Sequence, residues 1–146
     1  MSSFKAFDIA GSGMAAQSVR LNTTASNLAN ADSVSGTAAG VYKPRHPIFE
    51  AVRAQLAAHG ATPGTTPESQ PAVRVRGIYE STAPASQRYE PGNPLADTNG
   101  YVYAPAVNVV EEMVNMISAS RSYQNNVEVM NTSKDLLLAT LRLGQG

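Results

Sequence analysis

Apolar positions along the chain fall into two helical patterns separated by a stretch of turns. Toward the C-terminus, Val109, Met113, Met116, Ser120, Tyr123, Val127, Met130, Lys134, Leu137 and Leu141 recur in alternating steps of four and three. A 3.5-residue repeat sustained over that length predicts a helix with coiled-coil-like packing and a seam about 48 Å long at 1.5 Å per residue. A second apolar row, Val110, Val114, Ile117 and Leu138, lies beside the first, so one partner helix would not cover everything. Asn108 is suited to cap this helix, Glu111 and Glu112 place carboxylates in its first turn, and Arg142 with Gly144 forms the stop.

The N-terminal pattern is fainter. Phe7, Ala10, Met14, Gln17, Leu21, Thr24 and Leu28 also step by three and four, but half of this seam is small or polar. Such a helix gains little from intrinsic propensity and depends on tertiary or intersubunit contacts. All nine prolines lie between Pro44 and Pro105, so punctuation is confined to the middle. The alternation in Val73–Arg76, the Asp97-Thr98-Asn99-Gly100 turn before Tyr101-Val102-Tyr103, and an extended piece over 42–49 broken by Pro44 and Pro47 predict short strands there. The stretch 57–72, rich in Ala, Thr, Pro and Gly, reads as a loop. The expected fold is mainly α with a small β-containing middle. Its expected division is 1–35 for the N-terminal helix, 36–107 for an outer domain and 108–146 for the long C-terminal helix.

Composition narrows the function. In 146 residues, 11 basic and 11 acidic side chains cancel, which removes the electrostatic footprint of a nucleic-acid binder. Charged residues make up 15% of the chain against about 25% in typical soluble domains. A surface so weakly charged suits close packing among neighbours. The absence of cysteine excludes a disulfide framework, thiolate zinc and a thiol nucleophile. The N-terminal residues lack an apolar core followed by a cleavage site, and no apolar run approaches a membrane span, so a chain without a Sec-type signal is expected.

Candidate chemistry does not accumulate. Gly11-Ser12-Gly13-Met14-Ala15-Ala16, with Asp32 about 20 residues on, imitates a dinucleotide fingerprint, but no strand precedes it and Asp32 follows a helical pattern. The segment reads instead as a flexible helix start. The Asp97 turn resembles a calcium loop only in its opening, since Asn108 stands where a bidentate glutamate belongs. His46 and His59 lack partners at ligand spacing and read as surface residues. Arg74 and Arg76 on one strand face could contact phosphate, but two arginines in a neutral chain read as a solvated sheet face. Lys134 interrupts the apolar seam, either snorkelling past a packed stem or meeting an acid of a neighbouring subunit to set register. No catalytic, cofactor or metal site emerges.

Both ends resemble a known family. Ala15-Ala16-Gln17-Ser18-Val19-Arg20-Leu21-Asn22 leads into Ala25-Ser26-Asn27-Leu28-Ala29-Asn30-Ala31-Asp32, a helix ending in paired asparagines. Pro94-Leu95-Ala96-Asp97, Gly100-Tyr101-Val102-Tyr103, the run from Val107 and Asn108 through Glu112 to Ile117, and Ser120-Arg121-Ser122-Tyr123-Gln124-Asn125-Asn126 follow, ending in Leu141-Arg142-Leu143-Gly144. Together they resemble the axial proteins of the bacterial flagellum, in particular its basal-body rod proteins. Asn93 and Ala106 depart from that pattern, and the middle resembles it weakly.

The resemblance implies a non-enzymatic structural subunit without cofactors. Its terminal helices would pack with those of other copies and of other rod proteins into a hollow tube crossing the periplasm, transmitting motor torque and passing exported subunits. Partners implied are the flagellar type III export apparatus and, as further candidates, the surrounding membrane-ring proteins, with no nucleic acid or small-molecule substrate. Subunit packing is expected at Met14, Leu21, Leu28, Val109, Met113, Met116, Ile117, Tyr123, Val127, Met130, Lys134, Leu137 and Leu141. Gln17, Arg20, Asn27, Asn30, Asp97, Gly100, Asn108, Glu112, Arg121 and Asn126 carry the family motif. A soluble helical binding module explains the C-terminal heptads but not their asparagine-rich N-terminal counterpart. A small α+β enzyme lacks a constellation to carry chemistry.

Overall fold

A computed structural model describes residues 3–54 and 70–144. Helix α1 spans Ser3–Ala29, strands β1 and β2 span Arg45–Ala54 and Gln70–Glu80, β3 and β4 span Ser86–Tyr89 and Tyr101–Ala104, and helix α2 spans Val109–Leu143. Two helices with two small antiparallel sheets give the mainly α chain with a β middle that the periodicity predicts.

Helix α2 begins and ends where its caps dictate. The Asn108 side chain accepts hydrogen bonds from the Val110 and Glu111 amides, which otherwise lack intrahelical partners. At the far end the Gly144 amide donates to the Thr140 carbonyl at 3.1 Å, with Gly144 still in right-handed geometry. Its 35 residues make a rod about 52 Å long.

Helix α1 departs from expectation at both ends. It starts at Ser3 and runs through Gly11 and Gly13, so these glycines are not a loose helix start. It also stops at Ala29 rather than running on to Ser35. Asn30 donates from its side chain back to the Ser26 carbonyl, and Ser33 bonds the Asn30 carbonyl, which turns the chain. Ser35 then pairs with Tyr103, tying the end of the turn to β4.

The helices lie antiparallel, because Arg20 donates to Asn115 at 2.8 Å while Gly13 faces Asn126 and Gly11 faces Met130. Gly13 shows why glycine interrupts a helix here: a Cβ at that position would sit 2.9 Å from Asn126 Nδ2. The missing side chain lets the backbones approach. The other side of α1 carries the β1–β2 hairpin, where Ser12 Oγ accepts from the Val73 amide at 3.2 Å.

β1 and β2 are longer than the alternation at 73–76 suggests, pairing from Arg45↔Glu80 to Ala54↔Gln70. Proline does not break β1 at Pro47, since each strand of a two-stranded ribbon has a free edge where a missing N–H costs nothing. The register shifts between Ile48 and Phe49, leaving Arg76 as the extra residue of a bulge, so Arg74 and Arg76 do not form the regular two-arginine face. Arg74 pairs with Glu50 across the strands at 3.0 Å, and Arg45 with Glu80 at 3.0 Å. Of the expected loop over 57–72, Gln70–Ala72 belong to β2 and the remainder lies outside the described residues, as does His59.

The second hairpin, β3–β4, follows the predicted turn. Asp97 Oδ1 accepts from the Asn99 and Tyr101 amides, and Gly100 adopts φ +82°. A side chain there would also strike Tyr89. Val102 of β4 is fully buried.

Candidate assembly surface

The buried interior of the described residues is thin and unusual in kind. Its apolar members are Ala10, Ala16, Val102, Ala104 and Ala119, while Thr23, Thr24, Asn27 and Glu112 are buried polar groups. The large aliphatic side chains lie elsewhere.

The polar part gathers where the end of α1, the entrance to β1 and the start of α2 converge. Asn27 Nδ2 donates to the Arg45 carbonyl, while its Oδ1 accepts the Arg45 amide and the Tyr42 hydroxyl, each at 2.9 Å. One amide side chain thus extends the β ladder and fixes the hairpin to α1. Burial holds the Tyr42 phenol above its usual pKa, opposed by Arg45 and reinforced by Glu112 and then Glu80.

His46 is half-buried rather than a surface residue. Its ring packs against Tyr79 with centroids 5.4 Å apart and planes tilted by 35°, and Nδ1 lies 4.0 Å from Glu112 Oε1. The Glu112 side chain is only 6% exposed, and its Oε2 has no hydrogen-bond partner. Tyr42 and His46 were invisible as members of this site in the sequence, because the contacts join residues 15 to 66 positions apart.

The motif residues therefore divide by what they touch. Asn27 and Glu112 build the junction, and Arg20 ties α1 to α2. Asn126 meets Gly13 while donating to the Ser122 carbonyl, and Gln17 places a buried Oε1 without a partner. Asn30 turns the chain, Asp97 and Gly100 shape the turn before β4, and Asn108 caps α2. Arg121 is exposed on α2 beside Val114 and Ile117.

The seam residues also divide. Met14, Leu21 and Leu28 of α1, with Met116, Tyr123, Val127, Met130 and Leu137 of α2, are partly covered within the chain. Val109, Met113, Ile117, Lys134 and Leu141 are exposed. Much of α2's intrachain face is instead Glu112, Asn115, Ala119 and Asn126, one step around the helix from the heptad seam. Opposite it, Val110, Met113, Val114 and Ile117 form a stripe exposed by 53–70%. At the other end Leu136, Leu138, Leu141 and Leu143 are likewise exposed.

Among the described residues there is no cluster of three metal-ligating side chains, and no helix is long and apolar enough to cross a membrane. A thin interior combined with aliphatic helix faces turned outward describes a structural subunit whose surfaces are made for other chains.

Comparison with known proteins gives this class a particular identity. The family described as flagella basal body rod protein matches residues 7–36, and that described as flagellar basal body rod FlgEFG protein C-terminal matches 98–143. The flagellar basal-body rod protein FlgC of Salmonella typhimurium is 54% identical over 139 residues, covering 95% of this chain and 96% of that protein. FlgC of Yersinia enterocolitica is 51% identical over 99% of this chain and 100% of its own. FlgC of Buchnera aphidicola subsp. Baizongia pistaciae is 32% identical over the same shares. The chain belongs to the FlgC family of flagellar basal-body rod proteins. It is a structural component of the basal body and not an enzyme.

Proposed function

We propose that the α1–α2 pairs of successive copies, together with those of other rod proteins, pack side by side as a coiled-coil-like hollow tube. Residues 1–35 and 108–146 form the tube, and 36–107 form its outer layer. The tube crosses the periplasm, carries motor torque toward the hook and passes exported subunits. The chain reaches its place unfolded through the flagellar type III export apparatus, and the surrounding membrane-ring proteins face the outer layer. Met14, Leu21, Leu28 and the α2 seam residues from Val109 to Leu141 are the packing positions, with Lys134 exposed where an acid of a neighbour sets register.

The observation that carries this reading is the stripe Val110, Met113, Val114 and Ile117, aliphatic and uncovered on a helix whose own interior is alanine and polar groups. Burying such side chains between subunits stabilises an assembly by about 1.5–3 kcal/mol for each one fully covered. An open heterologous contact repeated many times needs only moderate strength per interface.

The test is the double substitution Val114→Asp with Ile117→Asp. Native far-UV helicity, loss of concentration-dependent sedimentation and loss of motility in cells lacking the parent protein are expected. A folded double variant that sediments like the parent and restores motility refutes the proposal.

A further inference from the structure

The turn that closes β3 onto β4 holds the single asparagine–glycine pair of the chain, Asn99-Gly100. Every other asparagine precedes a residue with a side chain. That difference matters chemically, because an asparagine amide carbon can be attacked by the main-chain nitrogen of the next residue, and a glycine puts no Cβ in the way. Asn99 is also exposed, so water reaches it and ammonia can leave.

The same turn restrains the attacking nitrogen. The Gly100 N–H donates to the Asp97 carbonyl at 2.9 Å, and the Asn99 N–H donates to Asp97 Oδ1 at 2.9 Å. On the other side of the hairpin the Gly100 carbonyl accepts from the Glu90 amide at 2.9 Å. Attack on Asn99 requires the Gly100 nitrogen to lose its proton and leave Asp97, so the turn must open first.

We propose that Asn99 is a site of spontaneous deamidation, reactive in the unfolded chain and held back by the Asp97-anchored turn once the hairpin forms. The Gly100 nitrogen bonds to Asn99 Cγ, and the side-chain nitrogen leaves as ammonia with the proton that Gly100 gave up. Water then adds to either carbonyl of the resulting succinimide and breaks its bond to nitrogen. The net change is amide plus water to carboxylic acid plus ammonia. Opening at the main-chain carbonyl yields isoaspartate, in which the chain runs through the former side chain. Opening at the side-chain carbonyl yields aspartate.

Only one product damages the fold. Aspartate keeps the main-chain length, whereas isoaspartate inserts a carbon between the Asn99 and Gly100 units, where Asp97 must reach both the Gly100 and Tyr101 amides. A chain that waits unfolded therefore accumulates copies that cannot close this turn.

The test incubates the full chain at one pH and temperature, folded and in concentrated urea. Peptide mass spectrometry follows conversion of amide to acid at each asparagine, and isoaspartyl methyltransferase labelling identifies isoaspartate. In urea, Asn99 should react faster than every other asparagine. In the folded chain it should react about tenfold more slowly, as a turn that must first break one or two hydrogen bonds requires. Asp97→Ala with native helicity should raise the folded rate about fivefold and leave the rate in urea unchanged. Amide exchange at Glu90 and Tyr101 should rise in isoaspartate-containing chains returned to native conditions and stay at the parent level in Asn99→Asp.

Asn99 reacting no faster than the other asparagines in urea overturns the site. Equal rates in folded and unfolded chains, or a folded Asp97→Ala chain that reacts at the parent rate, overturns the protection by the turn.

Discussion

Replacing Gly13 with alanine tests a tight contact in the helix pair. A Cβ at Gly13 would lie 2.9 Å from Asn126 Nδ2 and 3.1 Å from its Cγ, inside normal contact. Asn126 cannot simply swing away, because its Nδ2 donates to the Ser122 carbonyl at 2.9 Å. Alanine gains about 1 kcal/mol of helix propensity. Against this stand about 1–3 kcal/mol of overpacking and about 1 kcal/mol for a disturbed hydrogen bond. The net expectation is destabilisation by about 1–3 kcal/mol, which at a urea slope of about 2 kcal/mol/M lowers the unfolding midpoint by about 0.5–1.5 M.

Gly11 is the internal control. Its added Cβ would meet only Met130 Cε, at 4.0 Å, which is an ordinary contact. Gly11→Ala should therefore raise the midpoint, with a gain of about 0.5–1 kcal/mol. In an Asn126→Ala background the steric cost at Gly13 disappears, and Gly13→Ala should also become stabilising. The assay is urea unfolding followed by circular dichroism at subunit concentrations low enough to exclude association. Equal stabilisation by both glycine substitutions, with no coupling between Gly13 and Asn126, would refute the close-approach reasoning.

The polar junction and the caps give further expectations. Asn27→Ala removes an amide with three hydrogen bonds and strands the Arg45 amide, which should cost about 2–4 kcal/mol in the same assay and raise hydrogen exchange at the start of β1. Asn108→Ala removes the α2 cap and should cost about 1 kcal/mol, with fraying confined to the first turn by amide exchange. Because the Tyr42 pKa is raised in the fold, its stabilisation is complete below its unfolded value of 10.0 and is lost as pH rises through the folded value. Tyr42→Phe should accordingly flatten the alkaline fall of the urea midpoint, and an unchanged slope would contradict that assignment.

Local rules were legible where local chemistry decides. The α2 limits followed from Asn108 and Gly144, and the turn before β4 from Asp97 and Gly100, because each depends on residues within a few positions. The face of α2 that meets α1 lies about one residue around from the heptad row, because the repeat marks an apolar row without saying which helix covers it. In this chain the nearest partner is α1, whose small and polar surface accepts Ala119, Asn115 and Asn126 instead. Of the apolar row, Met116, Tyr123, Val127, Met130 and Leu137 are partly covered within the chain, while Val109, Met113 and Leu141 are exposed. Gly13 misled for a related reason: glycine in a helical pattern signals a break unless something packs tightly against it, and here that is the Asn126 side chain, more than 100 residues away. The junction of Asn27, Tyr42, His46 and Glu112 left no pattern, because no period connects its members.

The distribution of side chains separates strength from specificity. Alanines and one valine bury too little surface to hold a helix pair of this length firmly, since stabilisation scales with apolar area removed from water. The groups that fix how α1, the hairpin and α2 meet are hydrogen-bonding ones: Asn27 against Arg45 and Arg20 against Asn115. Such contacts contribute modestly when made but penalise every wrong register through unsatisfied groups. Larger apolar side chains that would supply strength are only partly covered, as at Met116, Val127, Met130 and Leu137, or exposed, as at Val110, Met113, Val114, Ile117, Leu138 and Leu141 of α2. On the assembly proposed above, such a subunit would gain further stabilisation from the neighbours that cover α2, which would link folding and assembly through the same surface.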